Sequence, residues 1–402
     1  MEKILFCNLD LLKIKFPGVE GQNLLRTRNE FLQYVKELCS DKSNNVYFIS
    51  RDQSTLNSAE EHFVKKEGIT DLKFRLRDNA RDFVMKNKSH NNFFVFIGGK
   101  EVDFYLAVHT RSLFIVPTWT PVEEKALHYG VRVDTPSQLF KFIRTLNNHE
   151  NWYAEAQIES NVTALSLMDG RYKFKAKTSN EREMVEHFEH LLKSGSSRNY
   201  YDILLYHFLA GMTNSKLFDD IELFGMIPSS DCQLNRDIYS FMWQMRIIKG
   251  KQNPRNLPHG ENIILRTIPK AKAHLSYGND QRAYMGAVEE FKTICINPDF
   301  KNKIETLRKS GRFNVCIFDD YMTHGNSFNA VRNLLKYLGA NKIVFVSLGN
   351  FGRPFQKKNY NIVGDVFKNG YAFTETESSL AYFTYNTAAK DEVDVLYEIF
   401  NS

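Results

Sequence analysis

The sequence predicts an α/β protein with two successive parallel-sheet domains. Three observations support this class. In the first 148 residues, short apolar runs alternate with amphipathic segments of helical period, which is typical of βαβ units. A later apolar run at 315–318 ends in two adjacent acids and leads into a small-residue turn and a helix. The chain of 402 residues is also long enough for two or three domains.

Composition indicates an ordinary globular protein. Hydrophobic residues make up 43% of the chain, and no apolar run approaches the ~20 residues that a membrane-spanning helix needs. Acidic residues near the N-terminus argue against a signal peptide. The five cysteines are scattered without metal-ligand spacing, so we expect reduced thiols. The expectation is a cytoplasmic protein without a membrane partner.

The charge balance permits an anionic small ligand. The chain has 53 basic and 47 acidic residues, which gives a formal net charge of +6. This excess is mild, and no nucleic-acid-binding signature accompanies it. Nucleic acid is therefore not indicated as a partner.

The first domain is predicted over 1–148, with strands and helices in alternation. Its apolar strands are expected at 4–7, 46–49, 93–97 and 113–116. Its helices are expected at 24–39, 54–66, 101–108 and 137–146. Such alternation predicts a parallel sheet with helices on both faces, and ligands in these sheets bind at the carboxyl ends of the strands.

Polar residues follow three of these strands. Asn8 and Asp10 come after the first strand, Ser50 ends the second, and Asp103 lies beyond the glycines that follow the third. This arrangement resembles the haloacid dehalogenase (HAD) superfamily, which has a Rossmannoid parallel sheet. The resemblance implies that Asp10 stands at the acid/base position, Ser50 at the hydroxyl position and Asp103 at the downstream acidic position.

Two positions depart from the HAD pattern. Asn8 stands where the family has its nucleophilic aspartate, and an amide cannot form an aspartyl-phosphate. Gly99 stands where a metal-ligating aspartate is expected, so Mg²⁺ would lose two carboxylates. We expect a HAD-like domain without phosphatase activity that serves as a scaffold or contacts a protein partner. An unrelated flavodoxin-like sheet is the alternative.

A second domain is predicted over 149–402, with a helical segment at about 181–249 and a core over 260–402. The helical segment has candidate helices at 181–193, 198–211 and 235–248. Three histidines fall there, His187, His190 and His207. We expect helix-face or core histidines, because no cysteine or carboxylate recurs at metal-ligand spacing.

The predicted core contains a basic loop. A strand at 262–265 leads into Arg266, Lys270 and Lys272, and helices at 283–295 and 301–310 follow. A later strand at 342–347 precedes a loop with Phe351 and Arg353, which are candidates for stacking on a base and holding an anion. A solvated basic loop is the alternative for the first of these segments.

The strongest motif lies between the apolar run at 315–318 and a helix predicted at 329–338. Asp319 and Asp320 end the strand, and the turn contains Thr323, His324, Gly325, Asn326 and Ser327. A turn before a helix offers backbone N–H groups and a positive dipole end to a phosphate. The two carboxylates suit the hydroxyls of a sugar. A ligand with a ribose diol and a 5-phosphate would fill both parts.

This stretch resembles the phosphoribosyl-diphosphate (PRPP) loop of type I phosphoribosyltransferases (PRTases). Asp319, Asp320, Thr323 and Gly325 match the family pattern, and His324 replaces its second threonine. The resemblance implies a PRTase-type α/β domain that binds PRPP or a ribose 5-phosphate-type ligand with Mg²⁺. It also places the basic loop on the diphosphate. A generic βα turn is the alternative.

The PRTase resemblance implies a reaction and leaves a rival. The reaction is Mg²⁺-dependent transfer of the phosphoribosyl group to a nucleobase or another small acceptor, with release of diphosphate. The rival is a non-catalytic nucleotide- or PRPP-sensing protein. By analogy, such a protein would belong to a bacterial stress-response or phage-defence system, with the HAD-like domain as scaffold. Release of diphosphate from PRPP separates the two functions.

Overall fold

The computed structural model describes residues 2–12, 21–88, 92–145, 152–171, 182, 186, 199–270 and 288–401. The described residues form two six-stranded sheets and two two-stranded sheets, with helices against them. The predicted α/β class is confirmed at this level. Among the described residues, no helix combines the length and the apolar character that crossing a membrane requires.

The first sheet contains only parallel strands. Its strands are β1 (Glu2–Asn8), β2 (Asn44–Ser50), β3 (Lys73–Leu76), β4 (Asn92–Ile97), β5 (Leu113–Pro117) and β6 (Val131–Val133). Its helices are α1 (Gly21–Ser40), α2 (Gln53–Glu60), α3 (Arg77–Asn87), α4 (Glu101–Thr110), α5 (Glu124–Tyr129) and α6 (Pro136–Thr145). The strand order is β3-β2-β1-β4-β5-β6.

Burial explains why these strands form a central sheet. Successive residues of β1 and β4 are buried on both faces, which is the pattern of a parallel strand covered by helices on each side. The strand order reverses direction between β1 and β4, and such a switch point opens a crevice at the carboxyl ends. The residues after β1 and β4 therefore meet.

The sequence analysis missed four elements of the first sheet, namely β3, α3, α5 and β6. Strand β3 has the sequence Lys-Phe-Arg-Leu, in which charged residues alternate with apolar ones. It forms one edge of the sheet, where burial is incomplete, so its apolar signal is weak. Strand β6 has three residues and forms the other edge.

The second sheet is mixed. Its strands are β7 (Ala154–Glu159), β8 (Val162–Asp169), β9 (Leu223–Met226), β12 (Asn314–Met322), β13 (Lys342–Asn350) and β16 (Thr384–Tyr385). They lie in the order β16-β7-β8-β13-β12-β9. Strands β8, β13, β12 and β9 are parallel, while at one edge β7 pairs antiparallel with β8 and β16 pairs antiparallel with β7. The carboxyl ends of the parallel strands thus share one edge.

Helices and two small antiparallel sheets complete the described part of the second half. The helices are α7 (Asn199–Asn214), α8 (Arg236–Ile248), α9 (Lys301–Lys309), α10 (Asn326–Tyr337) and α11 (Thr387–Asn401). The small sheets pair β10 (Ile264–Arg266) with β11 (Ile294–Ile296), and β14 (Phe355–Val363) with β15 (Ala372–Ala381). Residues 288–293 are helical and precede β11.

Two expectations for the second half are corrected. The strand predicted at 262–265 is found as β10, but it pairs with β11 outside the main sheet and is not a strand of the parallel core. The helix predicted at 283–295 gives way to β11 at Ile294, since β-branched residues alternate there and pair with β10.

The predicted helical segment is found in part. Helices α7 and α8 match the predictions for 198–211 and 235–248, and Asn235 caps α8 by accepting from the backbone N–H of Ile238. The helix predicted at 181–193 lies almost entirely outside the described residues, together with His187 and His190. His207 is fully buried in α7, with Nδ1 3.3 Å from Glu392 Oε1.

One hydrophobic cluster joins the two halves. Helix α11 packs against α6 of the first half and α7 of the second, and the ring of Phe400 lies 5.5 Å from Phe142 and 5.0 Å from Tyr206. Buried residues of both large sheets belong to this cluster. The first half therefore packs against the second half through this shared hydrophobic cluster.

Candidate functional site

The acid pair lies inside a strand. Strand β12 continues through Met322, and Asp319 pairs with Ser347 of β13. The strand was expected to end with the two acids; its pairing with β13 continues past them to Met322. Both aspartates are partly exposed. They consequently belong to β12 itself and not to the turn that follows it.

The turn after β12 is built around Gly325. This glycine has φ 72°, in the left-handed region, and a Cβ at this position would lie 2.3 Å from a ring carbon of Phe355. Helix α10 begins at Asn326, three residues before the predicted start, and the backbone N–H of Asn329 donates to the carbonyl of Gly325 at 2.7 Å. Ser327 thus lies in the first helical turn, where backbone N–H groups lack helical partners.

The two aspartates carry an electrostatic penalty. Burial and the neighbouring Asp320 charge raise the pKa of the Asp319 carboxyl well above its usual range, and burial raises the pKa of Asp320. Backbone donors offset part of this cost, since Asp320 N lies 3.0 Å from Asp319 Oδ1 and Tyr321 N lies 2.6 Å from Asp320 Oδ1. A ligand that brings hydroxyl donors or a cation would relieve the penalty.

A buried glutamate, Glu290, connects the basic loop to the turn. Its Oε2 accepts from Arg266 Nη2 at 2.6 Å. Its Oε1 accepts from both Lys270 Nζ at 2.6 Å and Ser327 Oγ at 2.8 Å. Two residues assigned to the diphosphate and one assigned to the 5-phosphate therefore converge on one carboxylate.

The charge of Glu290 is set by its partners. Burial raises the pKa of this carboxyl, but the Arg266 and Lys270 charges lower it by more, so the net shift is downward. Glu290 was missed by the sequence analysis. Its only sequence signal is an acidic residue beside the apolar Phe291 in a predicted helix, and surface helices show that pattern as well.

The other predicted residues of this site occupy different environments. Thr323 is exposed and His324 is partly buried, with a pKa that burial and the nearby Arg353 lower. Arg266 is buried and also donates to the carbonyl of Pro228 at 3.3 Å, which follows β9. Lys272 lies outside the described residues.

An aromatic pair borders the acid pair. The backbone N–H of Phe351 donates to the carbonyl of Met322 at 3.0 Å, which brings the loop after β13 against the end of β12. The rings of Phe351 and Tyr321 lie 5.3 Å apart, and the Phe351 side chain is 37% exposed. We call the region formed by Asp319, Asp320, residues 323–327 and this aromatic pair the second-sheet crevice.

Asp319 and Asp320 can contact Mg²⁺ only as part of a larger ligand set. No group of three or more histidine, cysteine, aspartate or glutamate side chains with metal-site geometry occurs in the described part of the chain. Mg²⁺ commonly takes one or two protein carboxylates and completes its shell with water and substrate phosphates. The two partly exposed aspartates fit an ion of that kind.

The first sheet has its own crevice between the ends of β1 and β4, which we call the first-sheet crevice. Asn8 Nδ2 donates to Asp103 Oδ2 at 2.6 Å, and Arg77 Nε lies 3.3 Å from Asp103 Oδ1. Lys100 forms an ion pair with Asp10, whose backbone N–H donates to Asn8 Oδ1 at 3.0 Å. The structure thus brings Asn8, Asp10 and Asp103 together, and each forms a hydrogen bond or an ion pair with another residue of the crevice.

The backbone of the first-sheet crevice is also occupied. The N–H groups at the start of α4 are taken by carboxylates, since Lys100 N lies 3.3 Å from Asp103 Oδ2 and Glu101 N lies 2.7 Å from Glu123 Oε2. A Cβ at Gly99 would lie 2.6 Å from the carbonyl oxygen of Pro121, so a carboxylate does not fit there without a backbone shift. Burial raises the pKa of Asp103 despite Arg77.

Ser50 lies at the end of β2, beside β1, and its hydroxyl accepts from the backbone N–H of Asp52 at 3.3 Å.

No protein-family model matches this chain, and a search of curated proteins finds no match. The functional argument therefore rests on the geometry of the two crevices.

Proposed function

We propose that the second-sheet crevice binds PRPP, or a related ribose 5-phosphate ligand, together with Mg²⁺. The observation that supports this proposal is a single strand-turn-helix unit. It joins two adjacent carboxylates to a left-handed glycine turn and the N-terminus of a twelve-residue helix. Few ligands other than a phosphorylated sugar need paired hydroxyl acceptors so close to an anion site.

Each part of the ligand has a counterpart. The 5-phosphate would lie on the turn, where the first-turn N–H groups of α10 and the hydroxyls of Thr323 and Ser327 can donate to it. The ribose hydroxyls would donate to Asp319 and Asp320. Because these carboxyls have raised pKa values in the ligand-free protein, new donors are worth more to them than to solvated carboxylates.

The chemistry proposed is phosphoribosyl transfer. The bond between ribose C1 and the diphosphate oxygen breaks, the electron pair leaves with diphosphate, and a bond forms from C1 to a nucleophilic acceptor atom. The Asp319 and Asp320 carboxylates would offset the positive charge that develops on the sugar ring. Bound Mg²⁺ would supply charge neutralisation of the diphosphate. A planar acceptor such as a nucleobase could stack on the exposed ring of Phe351.

A PRPP-sensing function without turnover is the second candidate. It is favoured by the state of the basic residues, because Lys270 and Arg266 are both held by Glu290 and neither is presented to the crevice alone. The first half would then act as a scaffold that contacts a protein partner. Its internally paired crevice supports that role and gives no support to phosphatase chemistry.

Turnover separates the two candidates. PRPP with Mg²⁺ would be incubated with the protein and a panel of nucleobases and small amines, and diphosphate release would be measured. The matched pair of variants is Asp319→Asn with Asp320→Asn, and Asp391→Asn, an exposed residue of α11. Release that only the first variant abolishes supports a transferase, and binding without release supports a sensor. A protein that neither binds nor turns over PRPP contradicts both.

A further inference from the structure

Glu290 occupies an unusual position for an acidic residue in an anion-binding region. Its side chain is 2% exposed, and its three hydrogen bonds go to Arg266, Lys270 and Ser327. All three donors carry groups that recognise phosphates, two of them cationic and one a hydroxyl. The Glu290 carboxylate accepts a hydrogen bond from each of these groups and offsets the positive charges of Arg266 and Lys270.

Two of the three donors are also partly accessible to solvent. The Lys270 side chain is 15% exposed and Ser327 is partly exposed, whereas the Arg266 side chain is 2% exposed. Lys270 Nζ and Ser327 Oγ share one oxygen of Glu290, so they lie no farther apart than the sum of those two hydrogen bonds. One phosphate group has several acceptor oxygens and could therefore contact both donors together.

Arg266 is held more firmly than the other two donors. Besides Glu290, it donates to the carbonyl of Pro228 and to the hydroxyl of Thr293. It therefore anchors one oxygen of Glu290 within the fold, while the other oxygen faces the two donors of the crevice. One oxygen of the carboxylate is thus bound to Arg266 within the fold, and the other contacts the two donors that a phosphate would use.

We propose that Glu290 is an internal anion that competes with the ligand's phosphate for Lys270 and Ser327, and so sets the affinity of the site for phosphates. The inference rests on the proposed function for the choice of a phosphate ligand. A simple anion gains little, since it must first replace an existing charged hydrogen bond. A ligand that also engages Asp319 and Asp320 gains additional contacts that offset this replacement.

The competing account makes Glu290 a positioning residue that presents Lys270 to the ligand. The two accounts predict opposite signs. Removal of a competitor tightens anion binding, whereas removal of a positioning group weakens it. A sign is easier to establish than a magnitude, and it does not depend on how the free energy is divided among the three hydrogen bonds.

The experiment measures Kd by calorimetry for inorganic diphosphate and for PRPP with Mg²⁺. The variants are Glu290→Gln, which removes the charge, and Glu290→Asp, which keeps a charge for Arg266 but shortens the side chain. Glu290→Gln leaves a buried guanidinium without its carboxylate and could fail to fold; Glu290→Asp covers that case. The control is Glu289→Gln, the same change at the neighbouring residue, whose side chain is 31% exposed and pairs with Lys292.

We expect Glu290→Gln to bind diphosphate about tenfold more tightly than the wild type, which is the lower range for one hydrogen bond to a charged group. Glu290→Asp should change in the same direction and Glu289→Gln should not change. Unchanged or weaker binding by a folded Glu290 variant overturns the inference, and wild-type binding of PRPP would then leave the proposed function intact. Conversely, tighter diphosphate binding by the variants with no PRPP binding by any protein would support the inference and contradict the proposed function.

Discussion

The two crevices lie at the carboxyl ends of parallel strands in the two large sheets, yet their polar groups are arranged in opposite ways. In the first-sheet crevice, Asn8 donates to Asp103 and Lys100 forms an ion pair with Asp10, so these four residues pair with one another. In the second-sheet crevice, burial raises the pKa values of both Asp319 and Asp320, and the Asp320 charge raises that of Asp319 further. Similar strand ends therefore carry an internally paired cluster in one sheet and two adjacent carboxyls in the other.

A single substitution type explains much of the difference. An amide at position 8 can donate to Asp103, whereas a carboxylate there would repel it as Asp320 repels Asp319. The first pair therefore stabilises the fold. The second costs stability in the ligand-free protein, which is typical of residues retained for function. The two crevices thus differ in how their side chains pair and not in the type of strand end that carries them.

Breaking the first-sheet crevice should have the largest effect on stability. Asp103→Ala removes the partner of Asn8 and Arg77 and a cap of α4, and it leaves a nearly buried guanidinium without its carboxylate. We expect a loss of about 3 kcal/mol in the free energy of unfolding, measured by urea denaturation. The control is Asp78→Ala, which removes an exposed acid in the first turn of α3 and should cost far less. Equal losses from both variants would show that the first-sheet crevice is not held together by its internal pairs.

Removing the charge of Asp319 in the second-sheet crevice should have a smaller effect on the free energy of unfolding, and of opposite sign. Asp319→Asn removes the repulsion from Asp320, so the ligand-free protein should gain on the order of 1 kcal/mol at neutral pH. The pKa of Asp319 is raised in the folded state, so the wild type holds its proton more tightly when folded. The contribution of the Asp319 carboxyl to wild-type stability is therefore greatest below its pKa in the unfolded chain. This contribution is lost as the pH rises through its pKa in the folded protein.

The pH dependence provides the check on this second prediction. The advantage of Asp319→Asn should be present at neutral pH and vanish in acid, where the wild-type carboxyl is protonated as well. Thermal unfolding between about pH 3 and pH 8 would measure it. If Asp319→Asn is less stable than the wild type at neutral pH, the Asp319 carboxylate makes net favourable contacts in the fold and does not destabilise it.

The smallest expected effect is on phosphatase activity. Asn8→Asp restores a nucleophile of the HAD type, but Gly99 has no space for a second carboxylate and Lys100 still pairs with Asp10. We expect only background hydrolysis of p-nitrophenyl phosphate with Mg²⁺, in the wild type and in this variant alike. Wild-type hydrolysis that disappears in Asp10→Ala would contradict the account of the first-sheet crevice.

Sequence reasoning recovered the elements with strong periodic signals. Strands β1, β2, β4, β5 and β13 and helices α7 and α8 were predicted within a few residues, because their apolar residues are buried in continuous runs or along one face. It missed edge strands such as β3, whose charged residues dilute the signal. It also misplaced β10, since a strand of only three residues, two of them apolar, does not reveal which sheet it joins.

The candidate site was predictable where its residues are adjacent in the chain. Residues 319–327 carry their own strand-turn-helix context, so the sequence shows them together. Glu290 was not predictable, because its contacts are to Arg266 and Lys270 of the basic loop and to Ser327 of the turn, two segments far from it in sequence. For the same reason the basic loop and the turn looked like independent anion sites, whereas the fold connects them through one carboxylate.

The central claim is that a phosphoribosyl ligand binds the second-sheet crevice and not the first. The most direct measurement is the free energy of unfolding with and without PRPP and Mg²⁺ for three proteins: the wild type, Asp10→Asn, and Asp319→Asn with Asp320→Asn. At about 100 times its Kd, PRPP should add about 2.7 kcal/mol to the first two proteins and much less to the third. No gain in the wild type at millimolar PRPP, or a gain that only Asp10→Asn abolishes, would contradict the account.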